Sequence, residues 1–172
     1  GKIIQEFGAF GSASGLFDEP QGIAIDSEGN VWVADTGNYR LQEFNSKGEF
    51  LQAIGSQGIG EAKFTKPQGI AVDTKGNLWI ADTGNSRVQE LSSKGGFIRK
   101  FGTKGTGEGQ LEKPQGISLD SKGNVWVADT GNSRAQEFSM EGKAILKFGS
   151  KGSENGQLAE PQGIAVNRNT NS

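Results

Sequence analysis

The apolar residues of this chain gather in short runs punctuated by glycine, asparagine and aspartate. Residues 20–66 contain four of them, GIAID, NVWVAD, RLQEFN and EFLQAIG, rich in the β-branched and aromatic types that suit a pleated surface. Turn chemistry separates the runs. Asp26–Asn30 comes first, with Gly29 able to take the positive φ of a tight hairpin, followed by Asp35–Asn38 and then Ser46–Gly48. Four antiparallel strands are predicted. NVWVAD is apolar at successive positions rather than alternate ones, which predicts a sheet covered on both faces.

The pattern recurs along the whole chain. PQGI begins at Pro20, Pro67, Pro114 and Pro161, and DTGN begins at Asp35, Asp82 and Asp129, each step being 47 residues. Residues 1–19 align with 48–66 at the same offset, so the register holds without an insertion. Residues 20–66 and 67–113 share 26 identities over 47 positions, a closeness that points to recent duplication. Helical repeats of similar period are excluded, because a glycine every six residues or so would cost about 1 kcal/mol at each helix-interior position. A period in the forties with four strands per unit predicts an all-β fold, a β-propeller of four-stranded antiparallel blades.

The expected layout is a single open propeller segment over residues 1–172. Residues 1–19 would carry the outer strand (Lys2–Phe7) and connector of a preceding blade. Blades would occupy 20–66, 67–113 and 114–160, and 161–172 would supply the first strand, Gly163–Val166, of a following blade. A solitary blade can bury neither face, so further blades of the same chain or self-association are expected to complete the array.

Composition narrows the chemistry. With no Cys and no His there is no disulfide framework, thiol nucleophile, histidine base or Ser-His-Asp triad. Catalysis would have to rest on Asp, Glu, Lys, Arg or Tyr. The 18 basic and 20 acidic residues leave a net charge of −2, too balanced to argue for capture of nucleic acid or an anionic membrane. No apolar run approaches the roughly 20 residues of a spanning helix, so a soluble segment without membrane insertion is expected. The compartment is left open.

These motifs resemble the NHL-repeat family of β-propellers. The matching positions are Pro20, Gly22–Asp26, Gly29–Asn30, Trp32–Asp35, Gly37–Asn38 and Arg40–Gln42, recurring at +47 and +94 with Ser118 and Leu119 as small departures. Where the family has histidine before arginine, this chain has Tyr39, Ser86 and Ser133. The resemblance implies a propeller, commonly closed with six blades. It leaves function open, because the family includes protein-binding, RNA-binding and enzymatic members.

Several positions invite a chemical reading. Asp35, Asp82 and Asp129 with Arg40, Arg87 and Arg134 pair an acid with a cation, but they flank a four-residue hairpin loop and recur unchanged, which predicts structural cross-strand ion pairs. Trp32, Trp79 and Trp126 could stack sugars, yet their apolar neighbours predict packing. Asp26–Asn30 and its repeats meet only the first and last of the alternate ligand positions of a calcium loop, so they read as turns and no metal is expected. Gly102–Gly109 lacks Walker spacing, since Glu108 stands where lysine is required. No cofactor is implied.

The expected function is a non-enzymatic interaction or structural module, a scaffold for a protein or glycan partner. The alternatives are a propeller hydrolase or lyase whose site lies in other blades, and RNA binding. In a four-stranded meander the second hairpins and the long connectors emerge on one face, and binding residues concentrate on long loops held by rigid scaffolds. The candidate binding residues are therefore Asn38, Tyr39, Asn85, Ser86, Lys104, Asn132, Ser133 and Lys151, with Tyr39 as an exposed aromatic anchor.

Overall fold

A computed structural model describes residues 1–167. Among these residues twelve strands form three four-stranded antiparallel sheets, each a meander in chain order. The first sheet comprises β1 (Pro20–Ile25), β2 (Val31–Asp35), β3 (Arg40–Phe44) and β4 (Phe50–Ile54). The second comprises β5 (Pro67–Val72), β6 (Leu78–Asp82), β7 (Arg87–Leu91) and β8 (Phe97–Phe101). The third comprises β9 (Pro114–Leu119), β10 (Val125–Asp129), β11 (Arg134–Phe138) and β12 (Ala144–Phe148). Register repeats with the sequence: Ile23, Ile70 and Ile117 sit opposite Val33, Ile80 and Val127.

The successive apolar positions of the second strands are explained by which neighbour each side chain meets. In the middle sheet Ile70, Val72, Leu78 and Ile80 pack toward the first sheet, joining Trp32, Ala34, Leu41 and Phe64. The intervening Ala71, Trp79 and Ala81 point the other way and join Ile117, Leu119, Val125 and Val127 of the third sheet. Strand alternation is intact, but both faces meet protein, so both sets are apolar. Each sheet is thus a blade stacked face to face on the next.

Glycine sets how closely the blades approach. The first strands β1, β5 and β9 lie against one another along the centre of the array. A Cβ on Gly22 would overlap the carbonyl of Gln68, and one on Gly69 would overlap that of Gln115. A Cβ on Gly116 would come within 2.6 Å of the Gln162 oxygen. The third residue of each PQG has no room for a side chain. A second link between blades is a buried hydroxyl: Thr36, Thr83 and Thr130 Oγ1 donate to the carbonyls of Pro67, Pro114 and Pro161 at 2.6, 2.6 and 2.7 Å.

Two expected strands are absent. Lys2–Phe7 and Gly163–Val166 join no ladder, because the middle strands that would pair with them are not in this sequence. Phe7 nonetheless keeps its place in the packing. Its ring lies 5.0 Å from that of Phe44, as Phe101 lies 4.8 Å from Phe138 two repeats on. At the open face of the first blade Ile23 and Ile25 are 66% and 67% exposed, while their equivalents Ile70 and Val72 are 6% exposed inside the array.

Candidate functional site

The second hairpins and the connectors share one face, and a polar network joins them. Asp82 is fully buried. Its Oδ1 accepts the amide of Thr65 at 2.8 Å, and its Oδ2 accepts Asn85 Nδ2 at 2.8 Å, Arg87 Nε at 2.7 Å and Gln89 Nε2 at 3.1 Å. The Arg87 guanidinium continues outward to the carbonyls of Ile59, Gly60 and Lys63 at 2.8 to 2.9 Å. Asn85 Nδ2 also donates to Gly58 O at 2.9 Å.

The same constellation is built around Asp35 with Asn38, Arg40 and Gln42, and around Asp129 with Asn132, Arg134 and Gln136. The Asp–Arg distance is 2.7 Å in all three blades. Every carboxylate oxygen has protein donors, and every arginine reaches connector carbonyls. The network therefore clamps a glycine-rich loop to its blade and leaves no carboxylate poised for proton transfer.

This geometry changes the standing of several sequence candidates. Ser86 and Ser133 are buried, 5% exposed, in the left-handed conformation that ends a 3-10 turn (Thr83–Asn85 and Thr130–Asn132, φ +52° at each serine). They are not on the surface where a partner would meet them. Tyr39, expected as an exposed anchor, is half-buried at φ +57°. Asn38, Asn85 and Asn132 are half-buried and committed to the clamp. Lys104 and Lys151 are exposed, Lys104 standing 3.7 Å from the Glu112 carboxylate.

Two features escape a strand-and-turn reading. Gln42, Gln89 and Gln136 are fully buried and complete the clamp, their Oε1 accepting the amides of Gly15, Ala62 and Gly109. The signal was a polar residue recurring inside the third strand. Phe10 and Ile59, 85% and 79% exposed, lie on connectors that pass in front of the clamps. A polar recess of about 320 Å³ opens on the same face, walled by Glu112, Lys113, Glu160 and Gln162.

The opposite face carries the short turns. Asp26, Asp73 and Asp120 each accept two turn amides on Oδ1, and Asn30, Asn77 and Asn124 bridge them to Glu43, Glu90 and Glu137. Burial opposes ionisation of Asp120, but hydrogen bonds from the Asn124 and Lys122 amides and from the Asn124 side chain outweigh it, holding its carboxyl below the ordinary 3.8. Glu90 is 3% exposed, and burial raises its carboxyl above 4.5 despite the Arg99 guanidinium at 2.6 Å.

Stacked four-stranded antiparallel sheets with touching first strands define a β-propeller, here three blades of one. The profile of the NHL repeat matches residues 17–44, 64–91 and 111–138, one stretch in each blade. The chain belongs to the NHL-repeat family. It is 47% identical over 45 residues to the B-box type zinc finger protein ncl-1 of Caenorhabditis elegans, a match covering 26% of this chain and 5% of that protein. It is 46% identical over 46 residues to the E3 ubiquitin-protein ligase TRIM32 of Homo sapiens, covering 27% of this chain and 7% of the relative. The solved structure of a streptogramin B lyase superposes with a TM-score of 0.65 at 20% identity, covering 93% of this chain and 47% of that one. The chain thus spans less than half of that lyase, and the matched stretches are a small part of the curated relatives.

Proposed function

We propose that this chain is a protein-binding module that meets its partner through the connector face, without catalysis of its own. The supporting observation is a division of labour between repeated and variable residues. The Asp, Asn, Arg and Gln that recur in every blade are consumed by the clamps, which hold each connector rigid. The side chains left outward on those connectors are not fixed by the repeat: Phe10, Gln57, Lys104 and Lys151 occupy one repeat position, as an aromatic, an amide and two lysines, and are all exposed. Rigid loops displaying varied apolar and cationic side chains suit recognition of a protein surface. A glycan fits less well, because Trp32 and Trp79 are buried in packing and offer no sugar platform.

The likeness to a lyase carries the fold and not the reaction. An active site needs unlike groups at a few positions, whereas these clamps are alike in all three blades. A photo-crosslinking amino acid placed at position 57 or 104, and separately at Ser27 on the opposite face, tests the proposal in native extract. A discrete protein adduct is expected from 57 and 104 only, and the adduct from 57 should be lost in Lys104→Glu/Lys151→Glu/Phe10→Ser with the melting temperature unchanged. Adducts from position 27 alone, or adducts indifferent to the triple substitution, would show that the partner meets another surface.

A further inference from the structure

On the short-turn face, where the second and third blades meet, a groove of about 420 Å³ opens. Trp79 and Leu119 form its floor, and Met140 forms one wall. Lys75 and Lys122 stand exposed on the rim. Both lie in turns centred on an aspartate, Asp73 and Asp120, whose carboxylates also line the groove and are engaged by donors of their own turns. Asp73 accepts the amides of Lys75 and Asn77 at 2.8 Å and the Asn77 and Trp79 side chains at 3.1 and 3.4 Å. Asp120 accepts the amides of Lys122 and Asn124 at 2.8 Å. Among the described residues neither lysine ammonium forms an ion pair. The groove therefore carries two ammonium groups without an ion pair at its rim and two carboxylates held by their own turns, around an apolar floor.

The groove is not a generic consequence of the repeat. At the seam between the first and second blades, Glu28 stands where Lys75 stands here, and Ser93 stands where Met140 does. The chain's one methionine lies in this groove, replacing the serine of the other two blades. Methionine supplies an adaptable, polarisable wall suited to apolar ligand groups.

The chemistry also distinguishes among anions. A phosphate site would draw on free backbone amides, but those of Lys75, Gly76 and Asn77 donate to Asp73, and those of Lys122, Gly123 and Asn124 donate to Asp120. Only the two ammonium groups remain as charged donors. We propose that this groove binds a small amphiphilic carboxylate, its head between Lys75 and Lys122 and its apolar body over Leu119, Trp79 and Met140. The volume lies in the range of small-ligand pockets. The site is on the opposite face from the proposed partner surface and is independent of it.

Octanoate is the probe, titrated into the full 172-residue chain labelled with nitrogen-15 and methyl carbon-13, with octan-1-ol and inorganic phosphate as comparators. Saturable one-to-one shifts are expected at the Trp79 indole N–H and the Met140 methyl, with octan-1-ol and phosphate at least about tenfold weaker. Lys75→Glu/Lys122→Glu should weaken octanoate about tenfold or more, the scale of two exposed charge contacts reversed, and Met140→Ser should weaken it without changing the melting temperature. Three outcomes would overturn the proposal: no saturable shift at millimolar octanoate, equal affinity in the lysine double variant, or shifts confined to Ile23, Ile25 or Phe148 at the open blade faces. Equal binding of phosphate would also overturn it, since the floor would then contribute nothing.

Discussion

Asp82→Asn tests whether the recurring aspartate is structural, because it removes one charge and almost no volume. In the native chain Asp82 Oδ2 receives three donors, from Asn85, Arg87 and Gln89, at 2.7 to 3.1 Å. An asparagine can keep the Thr65 amide on its oxygen, but it then turns its own NH2 toward three other donors. The Arg87 side chain is 9% exposed, so its charge would be left with only neutral carbonyl partners and little water. Breaking a buried pair by neutralising one partner costs about 3–5 kcal/mol. Domains commonly have only about 5–15 kcal/mol of total stability, so the variant should stand near its unfolding threshold. Asp35→Asn should lose less, because Arg40 is 15% exposed and water can take over part of the charge. The assay is urea unfolding followed by tryptophan fluorescence, with midpoint and slope fitted separately. Asp82→Leu/Arg87→Met should recover a large part of the loss, as buried pairs exchanged for apolar groups commonly do. A loss below about 1 kcal/mol in Asp82→Asn, or a double variant as unstable as the sum of its singles, would refute the clamp as described.

Gly69→Ala should destabilise by more than about 2 kcal/mol, since its Cβ would overlap the Gln115 carbonyl and neither inner strand can retreat without opening the seam; thermal unfolding checks this. Lys113 is exposed at φ +49°, so Lys113→Gly should raise stability by about 0.5–1 kcal/mol, relief of left-handed strain exceeding the entropic cost of glycine; an unchanged or lower urea midpoint would contradict it. Because the folded chain holds the Glu90 proton more tightly than the unfolded chain, stability should rise as pH falls toward 4.5, a component that Glu90→Gln should remove from the pH profile. With Ile23 and Ile25 open at one end and Phe148 half exposed at the other, the isolated chain should self-associate at micromolar concentration; a stable monomer in native mass spectrometry would show that these faces need no cover.

Much of this protein was legible from its residues alone. The 47-residue period, the four strands of each unit and their turns are local properties, carried by β-branched runs and by glycines such as Gly29 at φ +83°. The opposition of Asp82 and Arg87 followed from a hairpin of known loop length. What lay beyond reach was contact between segments 24 to 31 residues apart. Nothing in DTGN says that the asparagine amide will turn to a connector carbonyl 27 residues upstream, or that Gln89 will join it. The side chains of Asn85 and Ser86 looked available because a hairpin tip is ordinarily solvated, and stacking of the connector over it took them from the surface. Lys2–Phe7 had strand composition but no strand, since a ladder requires a partner and composition cannot supply one. The groove at Met140 likewise belongs to neither blade. It exists only because glycine lets β5 and β9 approach until two turns and a thioether face one another, a distance set by packing between repeats and not by the pattern within one.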